Sequence, residues 1–152
     1  MRRLRVYADT SVFGGCFDEE FAEVSKAFFE DVKNGKFILV VSNTTLRELN
    51  EAPNYVQQIL ADLPHDMVEI VKDLEEVGSL RDAYIKAKII GSANKADAEH
   101  IAFASVAEVD FVVSWNFKHI VHYEKITGYQ AVNLLNGYKQ IHVYSPREVV
   151  DL

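Results

Sequence analysis

Apolar residues recur along this chain in two rhythms, one of strands and one of helices. Leu4-Arg5-Val6-Tyr7-Ala8 alternates as a strand does and stops at Asp9-Thr10-Ser11. Gly14-Gly15 loosens the chain, after which Phe21, Val24, Ser25, Phe28, Phe29 and Val32 recur at helical spacing until Gly35 ends the helix. Phe37-Ile38-Leu39-Val40-Val41 is a continuous apolar run, as expected of a strand buried on both faces. Ser42-Asn43-Thr44-Thr45 supplies capping residues for a short helix carrying Leu46, Glu48 and Leu49. Pro53 starts another helix that ends before Pro64, and Met67-Val68-Glu69-Ile70-Val71 reads as a third strand. A helical region runs from Asp73 to about Ile90, broken or weakened at Gly78, and Gly91-Ser92-Ala93-Asn94 interrupts it. An alanine-rich helix opens near Lys95, and the strand Phe111-Val112-Val113-Ser114-Trp115 stops at Asn116. A helix from Tyr123 to Leu135, a closing strand Ile141-His142-Val143-Tyr144 and a proline-led helix start at Ser145-Pro146-Arg147-Glu148 complete the order. Strands alternating with helices predict an α/β fold, a mostly parallel sheet with helices on both faces. There is no internal repeat, low-complexity tract or linker, so the 152 residues form one domain.

Composition narrows the class. The chain is 49% hydrophobic, with nine Phe and seven Tyr, which excludes disorder. Its net charge of −7 provides no global basic field for non-specific nucleic-acid binding, although a local basic rim remains open. The single cysteine, Cys16, fits a reducing compartment and reads as a small buried apolar residue. The start Met1-Arg2-Arg3-Leu4-Arg5 is basic but no long apolar stretch follows it, so neither a signal peptide nor a membrane span is expected. The expectation is a cytoplasmic protein.

The chemistry sits at element ends. Asp9, Glu48, Asp97 and Asn116 each follow an apolar run or open a helix, and in a parallel sheet such positions converge at the carboxyl edge. Two carboxylates about 4 Å apart repel by roughly 4 kcal/mol at an effective dielectric near 20. Protonating one, or holding a hard cation such as Mg²⁺ or Mn²⁺, relieves that repulsion. Each residue also has a structural reading. Asp9-Thr10-Ser11 is an Asx-type turn, Thr45-x-x-Glu48 has capping-box spacing, and Asn94-x-x-Asp97 has N-cap spacing with an acid in the first turn. Asn116 is a turn asparagine, or an amide oxygen able to ligate a cation or orient a water. Small residues around Asp97, in Ala96-Asp97-Ala98-Glu99-His100-Ile101-Ala102-Phe103-Ala104, let that helix lie close on the sheet. His100, three residues after Asp97, is expected to pack or support the site, and Trp115 to pack.

In this order the residues resemble the PIN domain family of metal-dependent ribonucleases, most closely the small VapC-like toxins of toxin–antitoxin pairs. The resemblance is carried by Val6-Tyr7-Ala8-Asp9-Thr10-Ser11-Val12-Phe13, by Ser42 with Leu46-Arg47-Glu48-Leu49, by Asp97-Ala98-Glu99-His100-Ile101-Ala102 and by Asp110-Phe111-Val112-Val113-Ser114-Trp115-Asn116-Phe117-Lys118-His119. It spans nearly the whole chain. It implies a three-layer α/β/α sandwich and an acidic pocket binding Mg²⁺ or Mn²⁺, with Asp9, Glu48 and Asp97 matching the family's acidic ligands. Asn116 falls where many members carry a fourth acid, which lowers the pocket's charge and disfavours a tightly held second metal. By the same resemblance the activity is hydrolysis of an RNA phosphodiester by water acidified on the cation. The hydroxyls of Thr10, Ser11 and Ser114 would orient that water, and Arg47, Lys95, Lys118 and His119 would meet flanking phosphates. A toxin of this kind would be a homodimer neutralised by a small antitoxin protein. Phe21 to Val32 and Tyr55 to Leu63 are either its contact surfaces or core.

Two alternatives share the fold: a binding module with impaired chemistry, suggested by Asn116, and a nuclease of RNA processing without an antitoxin. A phosphoryl-transfer protein with Asp9 as nucleophile is disfavoured, because Ser11 stands where such a phosphatase needs its second aspartate.

Overall fold

The computed structural model describes residues 2–150, so Met1 of the basic start and the last two residues lie outside the description. Five strands, β1 (Leu4–Ala8), β2 (Phe37–Val41), β3 (Val68–Ile70), β4 (Phe111–Val113) and β5 (Val143–Tyr144), form one sheet in the order β3-β2-β1-β4-β5. Every pairing is parallel, with Val6 opposite both Leu39 and Phe111. Helices cover both faces, so the fold is the expected three-layer α/β/α sandwich.

The alternation in β1 explains the layers. Val6 and Ala8 join one core with Leu39, Val41 and Val113, packed beneath α1 (Thr10–Gly15), α2 (Ala22–Lys33), α3 (Asn43–Asn50) and α4 (Asn54–Ala61). Tyr7, Val40 and Val112 point the other way, into a second core with α5 (Glu75–Lys86), α6 (Lys95–Val106) and α7 (Tyr123–Leu135). The helix α6 is buried over most of its length at Ala98, Ile101, Ala102 and Ala104, and these small side chains let it approach the sheet closely. Phe28, Phe29 and Val32 of α2 belong to the first core, whereas Tyr55 of α4 is 58% exposed and meets Phe17 ring to ring at 4.7 Å.

Several local expectations change. Gly14-Gly15 ends a short helix that starts directly after Asp9, rather than following an open turn. Gly78 lies inside an unbroken α5, where a Cβ would make only ordinary contact with Arg81, so it neither breaks the helix nor is needed for fit. The strands β3, β4 and β5 are shorter than their apolar runs, and Met67 belongs to a 3-10 turn that precedes β3. Gly35 ends α2 with φ +80°, the left-handed conformation that favours glycine at a helix end. Among the described residues no helix is long and apolar enough to cross a membrane.

The strand order fixes where a site forms. The chain moves outward from β1 through β2 to β3, then returns to the other side of β1 with β4. The two strands that separate at this reversal therefore leave a crevice at their carboxyl ends. Asp9 follows β1, and Ser114 and Asn116 follow β4.

Candidate active site

Asp9 is buried at the end of β1, 4% exposed, and as first residue before α1 it makes no cap with its side chain. Its two oxygens are each engaged instead. Ser11 donates to Oδ1 at 2.6 Å and Ser114 to Oδ2 at 2.9 Å, tying β1 to β4 across the crevice. The same hydroxyls accept backbone N–H groups, Trp115 onto Ser11 and Asn116 onto Ser114, each at 2.9 Å, so the post-β4 turn is built around Asp9.

Glu48 is released for the site by the capping arrangement. The α3 capping box is formed by Ser42 and Thr45, not by Thr45 and Glu48. Glu48, on the last turn of the helix, accepts from Thr10 at 2.8 Å and pairs through Oε1 with His100 Nε2 at 2.6 Å. Asp97, in the first turn of α6, accepts the Asn116 amide N–H on Oδ1 at 3.2 Å. The orientation of Asn116 is fixed by its other end. Its Oδ1 accepts the backbone N–H of Lys118 and of His119, at 3.2 and 2.9 Å, so the oxygen faces the turn and the nitrogen faces Asp97. In this arrangement Asn116 positions an acid and does not offer its oxygen to a cation.

His100 is the centre of the group and is 1% exposed. One ring nitrogen meets Glu48, and Nδ1 meets the Tyr7 hydroxyl at 2.6 Å, which also reaches Ser42 at 2.7 Å and Thr45 at 3.2 Å. Burial works to depress the imidazole's pKa. The bond to Glu48 and the fields of Asp9, Glu48 and Asp97 outweigh it, and His100 lies above its ordinary value of 6.5. The acids divide. Burial raises Asp9 against the lowering effects of His100, Ser11 and Ser114, and Asp97 repels it further. Burial likewise raises Asp97, opposed by His100 and His119 and reinforced by Glu48. Glu48 is pushed up by burial but ends below its ordinary value, because His100 and Thr10 bond it directly. Asp97 thus opposes the charge of Asp9 and feels that of Glu48, and all three act on one buried imidazole.

The sequence pointed to this network only in part. Strand alternation sets Tyr7 on the face of Asp9, and helical spacing sets His100 on the face of Asp97, yet Tyr7 reads from sequence as an ordinary strand aromatic. Of the basic residues, Arg47 is held by Glu99 at 3.4 Å, and Glu99 also binds Arg81 at 3.0 Å and Thr44 at 2.7 Å. Lys95 and Lys118 are exposed. His119 is partly buried and near enough to lower Asp97, while its backbone oxygen accepts the Tyr129 hydroxyl at 2.7 Å. Trp115 packs, as expected, with Phe21 stacked on it at 4.1 Å and its indole N–H on Ser25. Cys16 is buried, as expected of a small apolar residue, and that burial pushes its thiol up to about 11.

The donor set suits a hard cation: three carboxylates whose mutual repulsion and burial a positive charge would relieve. Among the described residues, however, no three His, Cys, Asp or Glu side chains are gathered as ligands around one point. Here Glu48 turns to Thr10 and His100, so its engagement with a cation requires the His100 bond to be shared or given up. A wider concavity of about 810 Å³ lies at the amino edge of the sheet, lined by Arg2, Arg5, Asp110, Leu134 and His142. Its arginines are committed to Asp110 and Glu69, so the convergent acids at the switch point form the better site. No protein-family model matches the chain, and no curated protein matches it.

Proposed function

We propose that this chain is a Mg²⁺- or Mn²⁺-dependent endoribonuclease of the PIN type, acting as the toxin of a toxin–antitoxin pair. The observation that carries the reading is that Asp9, Glu48 and Asp97, from three separate segments, all act on buried His100 at the switch point of a parallel sheet, Glu48 through a direct bond and the two aspartates through their charge. Asp9, Glu48 and Asp97 would hold the cation. When bound, it would acidify a water and neutralise charge developing on the phosphate. The chain's own groups do the positioning. Ser11 and Ser114 fix both oxygens of Asp9, Thr10 fixes Glu48, and Asn116 fixes Asp97. Exposed Lys95 and Lys118, half-buried His119 and Arg47, from its pair with Glu99, would meet the flanking phosphates. The homodimer and the antitoxin partner belong to this reading and rest on the resemblance alone, and a cytoplasmic setting rests on the single cysteine and the basic start that no long apolar stretch follows.

One observation favours a second reading, a nucleic-acid-binding module of the same fold. The His100–Glu48 pair already neutralises part of the acid group without a metal. A single experiment separates the two. The protein is incubated with a mixed tRNA pool in Mn²⁺ or EDTA, beside Asp9→Asn and Asp97→Asn variants whose thermal midpoints show that they fold. The expected result is discrete fragments from the parent chain in Mn²⁺ only, with at least about a hundredfold loss in either variant. Cleavage by Asp97→Asn at the parent rate removes Asp97 from the site. Binding without cleavage in every lane leaves the module.

A further inference from the structure

Tyr7 is buried on β1, and its hydroxyl is shared among side chains from two other segments. It meets His100 Nδ1 on α6 at 2.6 Å, Ser42 Oγ at the cap of α3 at 2.7 Å and Thr45 Oγ1 at 3.2 Å. These three elements are the ones that lead to Asp9 and carry Glu48 and Asp97. The capping box gives the bonds a direction. Ser42 Oγ accepts the Thr45 backbone N–H and Thr45 Oγ1 accepts the Ser42 N–H, each at 3.3 Å, so each hydroxyl keeps its own hydrogen to give. The Tyr7 oxygen is the near acceptor for Ser42, which leaves the phenolic hydrogen for His100 Nδ1. At the far end of the ring, Nε2 faces a carboxylate, a group that only accepts. Both bonds to Glu48, from Thr10 and from His100, fall on Oε1, and among the described residues Oε2 has none.

We propose that Tyr7 is a positioning residue for Glu48, acting through His100: its hydroxyl holds Nδ1, keeps Nε2–H on Oε1 and so leaves Oε2 to the ligand of the site. The Tyr7 ring also meets the imidazole edge-on, 5.7 Å between centroids, so contact and bond fix one ring orientation. The nitrogen that carries the proton toward Glu48 is set by the bond that the other nitrogen makes. Without the hydroxyl, Nδ1 is stranded in the interior and the ring is free to tilt away from Glu48. That Oε2 meets a cation rests on reading the acid group as a metal site. The relay behind it goes beyond that reading and stands without a metal.

His100, one of five histidines, is followed in EDTA by nitrogen NMR of protein carrying isotope-labelled histidine, with His100→Gln to assign its signals. The parent chain and Tyr7→Phe are compared with Tyr84→Phe, which removes a buried hydroxyl from the same core, one bonded to Asn133. The expected parent ring carries a proton on Nε2 that Glu48→Gln shifts. In Tyr7→Phe that proton exchanges with water about tenfold faster or more, and in Tyr84→Phe at the parent rate. Mn²⁺ titrations then give about tenfold weaker binding in Tyr7→Phe and parental binding in Tyr84→Phe. A ring whose only proton sits on Nδ1 in the parent chain overturns the proposal without any variant. Parental exchange or parental Mn²⁺ affinity in folded Tyr7→Phe overturns it too. If the parent chain binds no Mn²⁺, the cation reading falls, and the exchange rates alone decide the relay.

Discussion

Replacing Asn116 by Asp puts a fourth carboxylate where an amide N–H now meets Asp97 Oδ1 at 3.2 Å. The acceptor that holds the Lys118 and His119 N–H groups is retained, so the turn keeps its bonds and only the face toward Asp97 changes. Two unit charges at that separation repel by about 5 kcal/mol at an effective dielectric near 20. A second limit is lower: near pH 7, protonating one ordinary aspartate to remove the repulsion costs about 4 kcal/mol. Asp97 is already raised by burial, which makes its protonation easier still. The expected loss without metal is therefore about 2–4 kcal/mol, or roughly 5–15 °C in the thermal midpoint for a chain of this size. Asn116→Ala is the control, since it loses the bonds without adding charge. The assay is thermal unfolding in EDTA at about pH 7 and about pH 5, repeated in Mn²⁺. At the lower pH the protonation limit falls to about 1.5 kcal/mol, so the deficit of Asn116→Asp shrinks by more than that of Asn116→Ala, which loses one bond to Asp97 and adds no charge. Mn²⁺ is expected to restore Asn116→Asp by more than it stabilises the parent chain. Deficits that match those of Asn116→Ala at both pH values would show that residue 116 does not face Asp97. A pH-dependent deficit that Mn²⁺ leaves untouched would show that the acid pair does not hold a cation.

Gly15→Ala would place a Cβ 2.5 Å from Ser25 Oγ and 2.8 Å from Trp115 Nε1, the two atoms of the buried indole bond. A loss of about 1–3 kcal/mol is expected in denaturant unfolding, together with a shift in Trp115 emission; unchanged stability would refute the packing described. The pH dependence of stability follows from His100. Its folded pKa lies above 6.5, so its contribution is complete below 6.5 and is lost as pH rises through the folded value, the native state holding more protons there than the unfolded chain. Asp9, also raised, acts in the same direction from 3.8 upward. In EDTA the unfolding free energy is expected to fall from pH 6.5 upward, with a flatter profile in His100→Gln; parallel profiles would remove His100 as the titrating group.

Hydrophobic rhythm made most of the fold legible. The bounds of α7, Tyr123–Leu135, coincide with the sequence reading, the helix stopping just before Gly137, whose φ of +83° is the left-handed conformation that favours glycine. The short strands β3, β4 and β5 are less legible, because an apolar run continues into packing contacts after pairing stops, as Trp115 does beyond β4. Gly78 misled for a related reason: neighbours on α6 and α7 hold that helix together despite one weak position. At the site, the acids were visible as element ends, but their partners were not. Whether Glu48 caps its own helix or reaches His100 is decided by Ser42 and Thr45, which complete the box first. The choice of nitrogen or oxygen that Asn116 presents to Asp97 is set by two backbone donors in the next turn, a detail of three-dimensional geometry that no spacing rule contains.

The central pairing of β1 with β4 also has a consequence for synthesis. The bond between Asp9 and Ser114 spans 105 positions, and Asp97 takes a bond from Asn116 beyond it. A ribosome making this chain adds Asp9 and Glu48 long before the turn that gathers them, and Asp97 19 positions before Asn116. Parallel pairing over that separation is slow to close, and until it does the acids are scattered along an unfinished sheet. A chain cut short before residue 116 therefore lacks the assembled acid group, and whatever that group does begins only once the turn after β4 has been made and paired.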